Sequence, residues 1–395
     1  MSKKDFGSES FVRNSLDDII LSINKTYKSN VVGKASDILV KTIPRIVTGI
    51  FPFDLATGGG IPVGRFSMFV GTEGSGKTNT ALITVAKAQR TCKLCHAIGY
   101  DVVDDKSGEV TVQWDHDEDC GWADLDGTPG MRCVWIDVEG TLVLNWASTL
   151  GVDVDELYIN IPDYAEQAVD IVDAMLRSGS VDLVVLDSIA AMIPYSEVEK
   201  SAEQSIIGDH AMLMNSAFRR WNSAMQSAGR ATGIKPTIIL INQIREKVGV
   251  MFGSPETSPG GKGQLFFPGI TIRFSSGQPK MSAGTLPKTL RWVSKFKVSK
   301  SKVGMSRLSG EYELAVTSHE SYVQGDVVDY DEVLKMAKDT GLIVQDGKKW
   351  VYTNKDVCDK EFRVLGDVVE SWHNNFRFYW EVKLEVLRRC LDALA

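Results

Sequence analysis

Residues 66–80 read FSMFVGTEGSGKTNT. The stretch opens with an apolar run over residues 66–70, the right length for one buried strand of a parallel sheet. The following residues, GTEGSGKT, match G-x-x-x-x-G-K-[ST] at every fixed position. Apolar residues then recur at helical spacing from Leu82 onward. A strand, a glycine-rich loop and a helix in this order predict a phosphate-binding loop.

The residue types in this loop suit phosphate chemistry. Glycines allow successive backbone N–H groups to converge on phosphate oxygens, and the N-terminus of the following helix adds partial positive charge. Lys77 can reach the outer phosphates, and the hydroxyl of Thr78 can hold Mg²⁺. The sequence therefore predicts a nucleoside triphosphate site. The predicted contact residues are Gly71, Thr72, Glu73, Gly74, Ser75, Gly76, Lys77, Thr78 and Asn79.

The composition is that of an ordinary globular protein with room for two or three domains: 395 residues, 24% charged and 43% hydrophobic. Because the net charge is −7, a nucleic-acid partner would be bound by local loops rather than by a positive surface. No apolar run approaches the length of a membrane span, and the first residues lack a signal peptide's apolar segment. The 6 cysteines favour reduced thiols or a metal over a disulfide framework. We therefore expect a cytoplasmic protein without a membrane partner.

Three further apolar runs each end at a polar residue, and helical segments precede two of them. Strands that alternate with helices predict a parallel α/β sheet. Open sheets of this kind bind ligands at the carboxyl ends of their strands. We therefore expect the polar residues to lie beside the phosphate loop. The runs and the residues that end them are 133–138 with Glu139, 181–186 with Asp187, and 237–241 with Gln243.

Residues 91–131 form an insert, because a parallel sheet normally needs only a few residues between a helix and the next strand. The insert contains C-x2-C and later H-x3-C, a spacing typical of tetrahedral zinc sites. A segment this short has too little core to fold without a metal. The predicted zinc ligands are Cys92, Cys95, His116 and Cys120, with Cys133 or His96 as alternatives for the fourth ligand.

The segments outside the predicted core also carry patterns. Residues 11–27 predict an amphipathic helix that either caps its own domain or docks on a neighbouring subunit. Alternation over residues 295–302 predicts an edge strand that leads into a turn, although a solvated charged face would show the same pattern. After His319 the pattern changes to that of a small C-terminal α/β domain. The expected domains are 1–45, 46–320 with the insert, and 321–395.

Two stretches without regular periodicity lie between the strands, at residues 197–209 and 244–263. Long irregular loops at the ligand edge of a sheet are usually functional or disordered. The second stretch belongs to the string INQIREKVGVMFGSPET at residues 241–257. Together with IDVE at residues 136–139 and the run over residues 166–188, this string resembles the bacterial RecA recombinase family. The resemblance implies an α/β fold, with a RecA-like P-loop ATPase core around a mostly parallel sheet, an N-terminal oligomerisation helix and a small C-terminal domain.

The resemblance also implies roles for individual residues around ATP. Glu139 would activate the attacking water, while Asp187 and Thr78 would place Mg²⁺. Gln243 would sense the γ-phosphate and order the loop that follows it. Trp146 occupies the position where the family stacks an aromatic ring, usually tyrosine, on adenine.

Further implied roles concern neighbouring subunits and DNA. Lys300 and Lys302 match a pair of lysines that reach the nucleotide of the next subunit. The two irregular stretches would be the DNA-binding loops, with Arg245 and Lys247 on phosphates and with Ile207 and Val248 wedged between base triplets. The implied DNA-binding residues are Ile207, Arg219, Arg245, Lys247, Val248 and Phe252.

The implied function is ATP-dependent filament formation on single-stranded DNA, followed by homologous pairing with double-stranded DNA. The implied cofactors are ATP and Mg²⁺, to which the insert adds Zn²⁺. An alternative is a zinc-bearing branch-migration or helicase-type ATPase of the related RadA group, although its zinc module normally precedes the core. The first loop lacks the family's glycine-rich start, and the insert is absent from ordinary members. These departures favour a divergent member encoded by a phage, which would work in the host cytoplasm.

Overall fold

The computed structural model describes residues 15–27, 32–34, 43–103, 110–114, 116, 119–121, 130–198, 208–246, 256–257, 259–281, 289–304, 308–319 and 321–394. The chain divides into two compact units, Met1–Ile43 and Pro44–Ala395. No helix among the described residues is both long and apolar enough to cross a membrane.

The described elements alternate between strands and helices through the middle of the chain. The strands are β1 (Arg45–Ile46), β2 (Ile61–Pro62), β3 (Phe66–Gly71), β4 (Gly99–Val103), β5 (Val110–Trp114), β6 (Cys133–Asp137), β7 (Leu157–Asn160), β8 (Leu183–Asp187), β9 (Thr237–Gln243), β10 (Arg245–Glu246), β11 (Glu256–Thr257), β12 (Ile270–Met281), β13 (Thr289–Ser301), β14 (Ser309–Ala315), β15 (Ile343–Asp346), β16 (Lys349–Tyr352) and β17 (Glu361–Phe362). The helices are α1 (Leu16–Tyr27), α2 (Phe51–Thr57), α3 (Lys77–Gln89), α4 (Leu144–Thr149), α5 (Ala165–Ser178), α6 (Tyr195–Val198), α7 (Asp209–Thr232), α8 (Gly263–Phe266), α9 (Tyr330–Asp339), α10 (Leu365–His373) and α11 (Phe376–Leu394), with a 3₁₀ turn at Ile189–Ala191.

The first unit contains helix α1. Ser15 precedes the helix, and its hydroxyl oxygen accepts a hydrogen bond from Asp18 N over 3.2 Å, which satisfies one of the free N–H groups of the first turn. None of the helix residues is buried within this unit. The apolar stripe is largely exposed, with Leu16 at 72% and Tyr27 at 68%. The predicted helix is confirmed from residue 16 onward, whereas residues 11–14 lie outside the described part.

The second unit is built on an eight-stranded sheet in the order β14-β13-β12-β3-β9-β8-β6-β7. From β12 to β7 all neighbours are parallel, while β13 and β14 pair antiparallel at one end. Side chains alternate across the sheet, so Phe69 and Trp135 pack in the layer that contains α3, while Met68 and Ile136 pack in the layer that contains α5 and α7. The predicted parallel α/β sheet is confirmed.

Strand β13 is not an edge strand along most of its length. It pairs with β12 on one side and, over Arg291–Lys297, with β14 on the other. The edge-strand prediction is therefore wrong over residues 295–297, because alternating exposure shows that one face is solvated but not whether a further strand lies alongside. Residues 298–301 pair with β12 and, among the described residues, not with β14. The chain bends directly after the strand, at residues 302–304, where the turn was predicted.

The described part of the insert is a β-hairpin held against the core. Strands β4 and β5 pair antiparallel from Gly99–Trp114 to Val103–Val110. A bridge between Cys92 and Gly130 joins the start of the insert to its end. The guanidinium of Arg377, on α11, lies over the ring of Tyr100 at 3.9 Å from the centroid. The hairpin therefore contacts the C-terminal part of the chain as well as the core.

The C-terminal elements share a hydrophobic core of their own, formed by α9, α10, α11 and the small sheet β15-β16-β17. This core also includes Phe51 of α2. Lys383 forms a buried ion pair with Asp329 over 2.8 Å within this C-terminal part. The pair also contacts the segment that leads into α2, because Lys383 Nζ donates to the carbonyl oxygen of Gly49 at 3.0 Å and Asp329 Oδ2 accepts from Phe51 N at 3.2 Å. The domain boundaries at residues 45 and 320 stay a prediction.

Candidate active site at the carboxyl edge of the sheet

The phosphate loop joins β3 to α3, as the motif predicts. Gly74 and Gly76 have φ values of +68° and +96°, a left-handed conformation that favours glycine. Lys77 is only 7% exposed. Its Nζ donates hydrogen bonds to the carbonyl oxygens of Gly71 at 3.1 Å and Thr72 at 2.7 Å. The ammonium group therefore lies inside the loop.

Asp187 faces the first turn of α3 from the end of β8. The hydroxyl of Thr78 donates a hydrogen bond to Asp187 Oδ2 over 2.8 Å. The two predicted Mg²⁺ ligands are thus in contact, and both offer the oxygen donors that Mg²⁺ prefers.

The charges in this site strongly influence one another. Burial raises the pKa of Asp187 to about 7, and the carboxylates of Glu139 and Asp137 add to the rise. Burial lowers the pKa of Lys77, while Asp187 and Glu139 oppose that shift. A cation between Thr78 and Asp187 would stabilise the ionised carboxylate. The residues present therefore fit Mg²⁺.

Glu139 follows β6 and carries an exposed carboxylate. Its Oε1 accepts hydrogen bonds from Gln243 Nε2 at 3.1 Å and from the hydroxyl of Ser188. Glu139 follows β6, Ser188 follows β8 and Gln243 ends β9, and these three strands are neighbours in the sheet. Together with Asp187 at the end of β8, Glu139 and Gln243 therefore lie at the same edge, as the sequence predicted. Ser188 was missed as a site residue, although a hydroxyl directly after Asp187 was the available signal.

A pocket of about 310 Å³ opens beside the phosphate loop. Residues 74–79 form one wall, and Trp292 of β13 with Val316 forms the other. Trp146 does not line this pocket, but its indole Nε1 donates a hydrogen bond to Asn79 Oδ1 over 3.0 Å. Sequence reasoning missed Trp292 and Val316 because they follow the loop by more than two hundred residues.

Lys300 and Lys302 point toward the same short helix, because alternate residues of an extended segment lie on one face. Their Nζ atoms contact the carbonyl oxygens of Leu265 and Phe266, respectively, at the end of α8. Burial lowers the pKa of Lys300, and Lys302 adds to that shift. The role of both lysines in a neighbouring subunit stays a prediction.

Four of the six predicted DNA-binding residues lie outside the described part. They are Ile207, Lys247, Val248 and Phe252. The backbone of Arg245 is described, and it pairs with Thr257 in the two-stranded ribbon β10-β11. Arg219 is exposed on α7. The DNA roles of all six residues stay predictions.

The loop after β9 is anchored by a residue that sequence reasoning missed. Asn242 is buried, and its Nδ2 donates to the carbonyl oxygen of Pro259 at 2.7 Å and to Gln264 Oε1 at 2.8 Å. Gly263 N donates to Asn215 Oδ1 over 2.7 Å. These bonds hold the end of the second irregular stretch against β9 and α7, directly beside Gln243.

The four predicted zinc ligands come together at the base of the insert. The side-chain donor atoms of Cys92, Cys95, His116 and Cys120 all lie within 4.8 Å of one another. Cys92 Sγ is 3.8 Å from Cys120 Sγ, and Cys95 Sγ is 3.4 Å from His116 Nδ1. Cys133 is instead buried in β6, where its thiol lies 3.5 Å from the carbonyl oxygen of Met131. Neither Cys133 nor His96 belongs to the cluster.

These features define a P-loop nucleotide-binding protein with an α/β core. Comparison with known families matches residues 14–110 and 123–317 to the RecA N-terminal domain. The chain is 32% identical to Protein RecA of Aquifex aeolicus over 87% of this chain and 84% of the relative. It is 29% identical to Protein RecA of Oceanobacillus iheyensis over 94% of this chain and 93% of that relative. The alignment with Protein RecA of Aquifex pyrophilus, at 37% identity, spans 64% of this chain and 60% of that relative. The chain belongs to the RecA family.

Proposed function

We propose that this protein is a DNA-dependent ATPase that forms filaments on single-stranded DNA and catalyses homologous pairing and strand exchange in DNA recombination and repair. The observation that carries the proposal is the convergence of Lys77, Thr78, Asp187, Glu139 and Gln243 at one edge of the sheet. Family membership supports it, because the matched region includes all five positions.

ATP binds with its phosphates on the loop. The backbone N–H groups at the start of α3 and the ammonium of Lys77 bind the phosphate oxygens. Thr78 and Asp187 would hold Mg²⁺, and the cation would supply positive charge that offsets the charge of the phosphates. Trp292 and Val316 enclose the side of the pocket opposite the loop.

Hydrolysis requires a water molecule in line with the γ-phosphate. Glu139 orients this water and accepts its proton. Ser188 and Gln243 both donate to Oε1 of Glu139, so the carboxylate is held in one orientation before ATP arrives. Most of the catalysis comes from positioning and charge neutralisation, as in other phosphoryl transfers to water.

Filament assembly places a second subunit against each nucleotide. Helix α1 offers an exposed apolar stripe for a neighbouring subunit. Lys300 and Lys302 supply positive charge at the subunit boundary. Single-stranded DNA lies along the two loops, where Arg219, Arg245 and Lys247 contact phosphates while Ile207, Val248 and Phe252 contact bases. The proposed compartment is the cytoplasm. If a phage encodes the protein, this is the cytoplasm of its host.

The cluster at the base of the insert binds one structural Zn²⁺. Three thiols and one imidazole form the soft donor set that zinc prefers. Thiolates that bind zinc tetrahedrally at about 2.3 Å lie about 3.8 Å apart, and Cys92 and Cys120 have a separation of 3.8 Å. Burial raises the pKa of the Cys92 thiol to about 11, so a cation is needed to keep this ligand ionised at neutral pH.

The proposed function is tested by measuring ATP hydrolysis with and without single-stranded DNA. We expect DNA to increase turnover in the wild type, and Lys77→Met to abolish turnover in both conditions. Lys87→Met changes the other end of α3 and is the matched control. DNA-independent turnover in the wild type, or normal turnover in Lys77→Met, contradicts the proposal.

A further inference from the structure

A chain of buried hydroxyl groups connects the phosphate loop to strands β13 and β14. Tyr312 of β14 is 2% exposed, and Ser294 of β13 is 1% exposed. The hydroxyl of Tyr312 lies 2.7 Å from that of Thr80, in the first turn of α3. Ser294 also forms a side-chain hydrogen bond with Tyr312. The chain thus spans three elements of the core.

Thr80, the residue of the chain nearest to the phosphate loop, determines the direction of the hydrogen bonds. Thr80 Oγ1 donates to the carbonyl oxygen of Gly76 over 2.8 Å, so its oxygen is free to accept a hydrogen bond from Tyr312. Tyr312 Oη lies 3.4 Å from the same carbonyl oxygen. Burial raises the pKa of Tyr312, so its hydroxyl keeps the proton that it donates. Hydrogen bonds in such a chain polarise and strengthen one another.

The carbonyl that receives these bonds belongs to the loop itself. Gly76 has a φ of +96°, and a Cβ atom there would lie 2.2 Å from Ser294 Oγ. In a trans peptide the carbonyl of Gly76 and the N–H of Lys77 point in opposite directions. The hydroxyl chain holds the carbonyl toward the core, so the N–H of Lys77 is directed toward the phosphate side of the loop.

We propose that Tyr312 is a positioning residue for the nucleoside triphosphate, acting through Thr80 and Gly76 on the backbone donors of the phosphate loop. The proposal rests on the proposed ATPase function. It adds a residue from β14 that does not line the pocket beside the phosphate loop. It also means that β13, which carries Lys300, is hydrogen-bonded to the loop through Ser294.

The alternative is that the hydroxyl chain only stabilises the fold. Matched variants distinguish this structural role from the proposed positioning role. Tyr312→Phe removes one hydroxyl and keeps the ring. Tyr352→Phe is the control, because Tyr352 is also buried and its hydroxyl oxygen accepts a single bond, from Trp372 Nε1 at 2.9 Å in the C-terminal core. Thr80→Ser keeps the donor to Gly76, whereas Thr80→Val removes it.

The first measurement is the dissociation constant of a fluorescent, non-hydrolysable ATP analogue. We expect Tyr312→Phe and Thr80→Val to raise it about three- to tenfold, the effect of losing one hydrogen bond. Thr80→Ser and Tyr352→Phe should bind like the wild type. The double variant Tyr312→Phe with Thr80→Val should lose no more affinity for the analogue than the weaker-binding single variant, because both changes break the same chain of hydrogen bonds.

The second measurement needs no nucleotide. Hydrogen exchange of the Thr80 amide, which donates to the Gly76 carbonyl over 2.9 Å, should be about threefold faster or more in Tyr312→Phe and unchanged in Tyr352→Phe. Failure of the wild type to bind the analogue contradicts the ATPase function, and the exchange measurement still decides the role of Tyr312. Unchanged exchange of the Thr80 amide in Tyr312→Phe contradicts that role. If the wild type binds the analogue, unchanged affinity in Tyr312→Phe also contradicts it.

Discussion

Gln243 Nε2 donates a hydrogen bond to Glu139 Oε1 over 3.1 Å, although 104 positions separate the two residues in the chain. The bond joins the residue proposed to accept the water's proton to the residue proposed to sense the γ-phosphate. Gln243 also ends the strand that leads into the proposed DNA loop. We therefore propose that Gln243 couples that loop to the Glu139 carboxylate.

Changing Glu139 to Gln removes the proposed base and keeps the size of the side chain. We expect hydrolysis to fall roughly 10²-fold or more, the scale of a lost general base, while ATP and DNA binding persist. Steady-state turnover and nucleotide affinity are the measurements. The control is Glu156→Gln, an exposed carboxylate just before β7, at the opposite edge of the sheet. Near-normal turnover in Glu139→Gln removes this residue from the catalytic role.

The double substitution of Lys300 and Lys302 by alanine should abolish DNA-stimulated hydrolysis and spare ATP binding by isolated protomers. The reason is that both lysines are proposed to serve the nucleotide of a neighbouring subunit. Lys297→Ala, an exposed change on the same strand, is the control. Equal loss of nucleotide affinity in an assembly-blocked monomer argues against a role between subunits.

Arg245→Ala should weaken binding to single-stranded DNA and reduce its dependence on salt. Each lost phosphate contact lowers the slope of log K against log salt by about 0.7 for single strands. Fluorescence anisotropy at several salt concentrations gives the slope. Lys349→Ala, in the C-terminal sheet, should leave it unchanged. The same slope in Arg245→Ala and wild type would place Arg245 away from DNA.

The insert should contain one zinc ion per chain by elemental analysis. The double variant Cys92→Ser and Cys95→Ser should lose the metal and unfold the insert, while ATP binding persists because the phosphate loop lies at the other end of α3. Cys133→Ala should retain zinc, since this thiol lies outside the cluster. A zinc content near zero in the wild type, or full content in the double variant, contradicts the site.

The features that the sequence predicted correctly are local ones. The phosphate loop is a contiguous motif, and the strands that end near Asp187 and Gln243 are contiguous apolar runs. The features that were missed depend on contacts between distant segments. Tyr312 lies 236 positions after Gly76, so no local pattern connects them. The edge-strand prediction failed over residues 295–297 for the same reason, because strand pairing with β14 is not visible in alternation.

Electron microscopy of the protein with single-stranded DNA and a non-hydrolysable ATP analogue tests the central claim most directly. The account predicts helical filaments that require both DNA and nucleotide. Glu139→Gln should form such filaments with ATP itself, because it binds ATP but hydrolyses it slowly. Closed rings would favour the helicase-type alternative, and the absence of any assembly on DNA would contradict the recombination function.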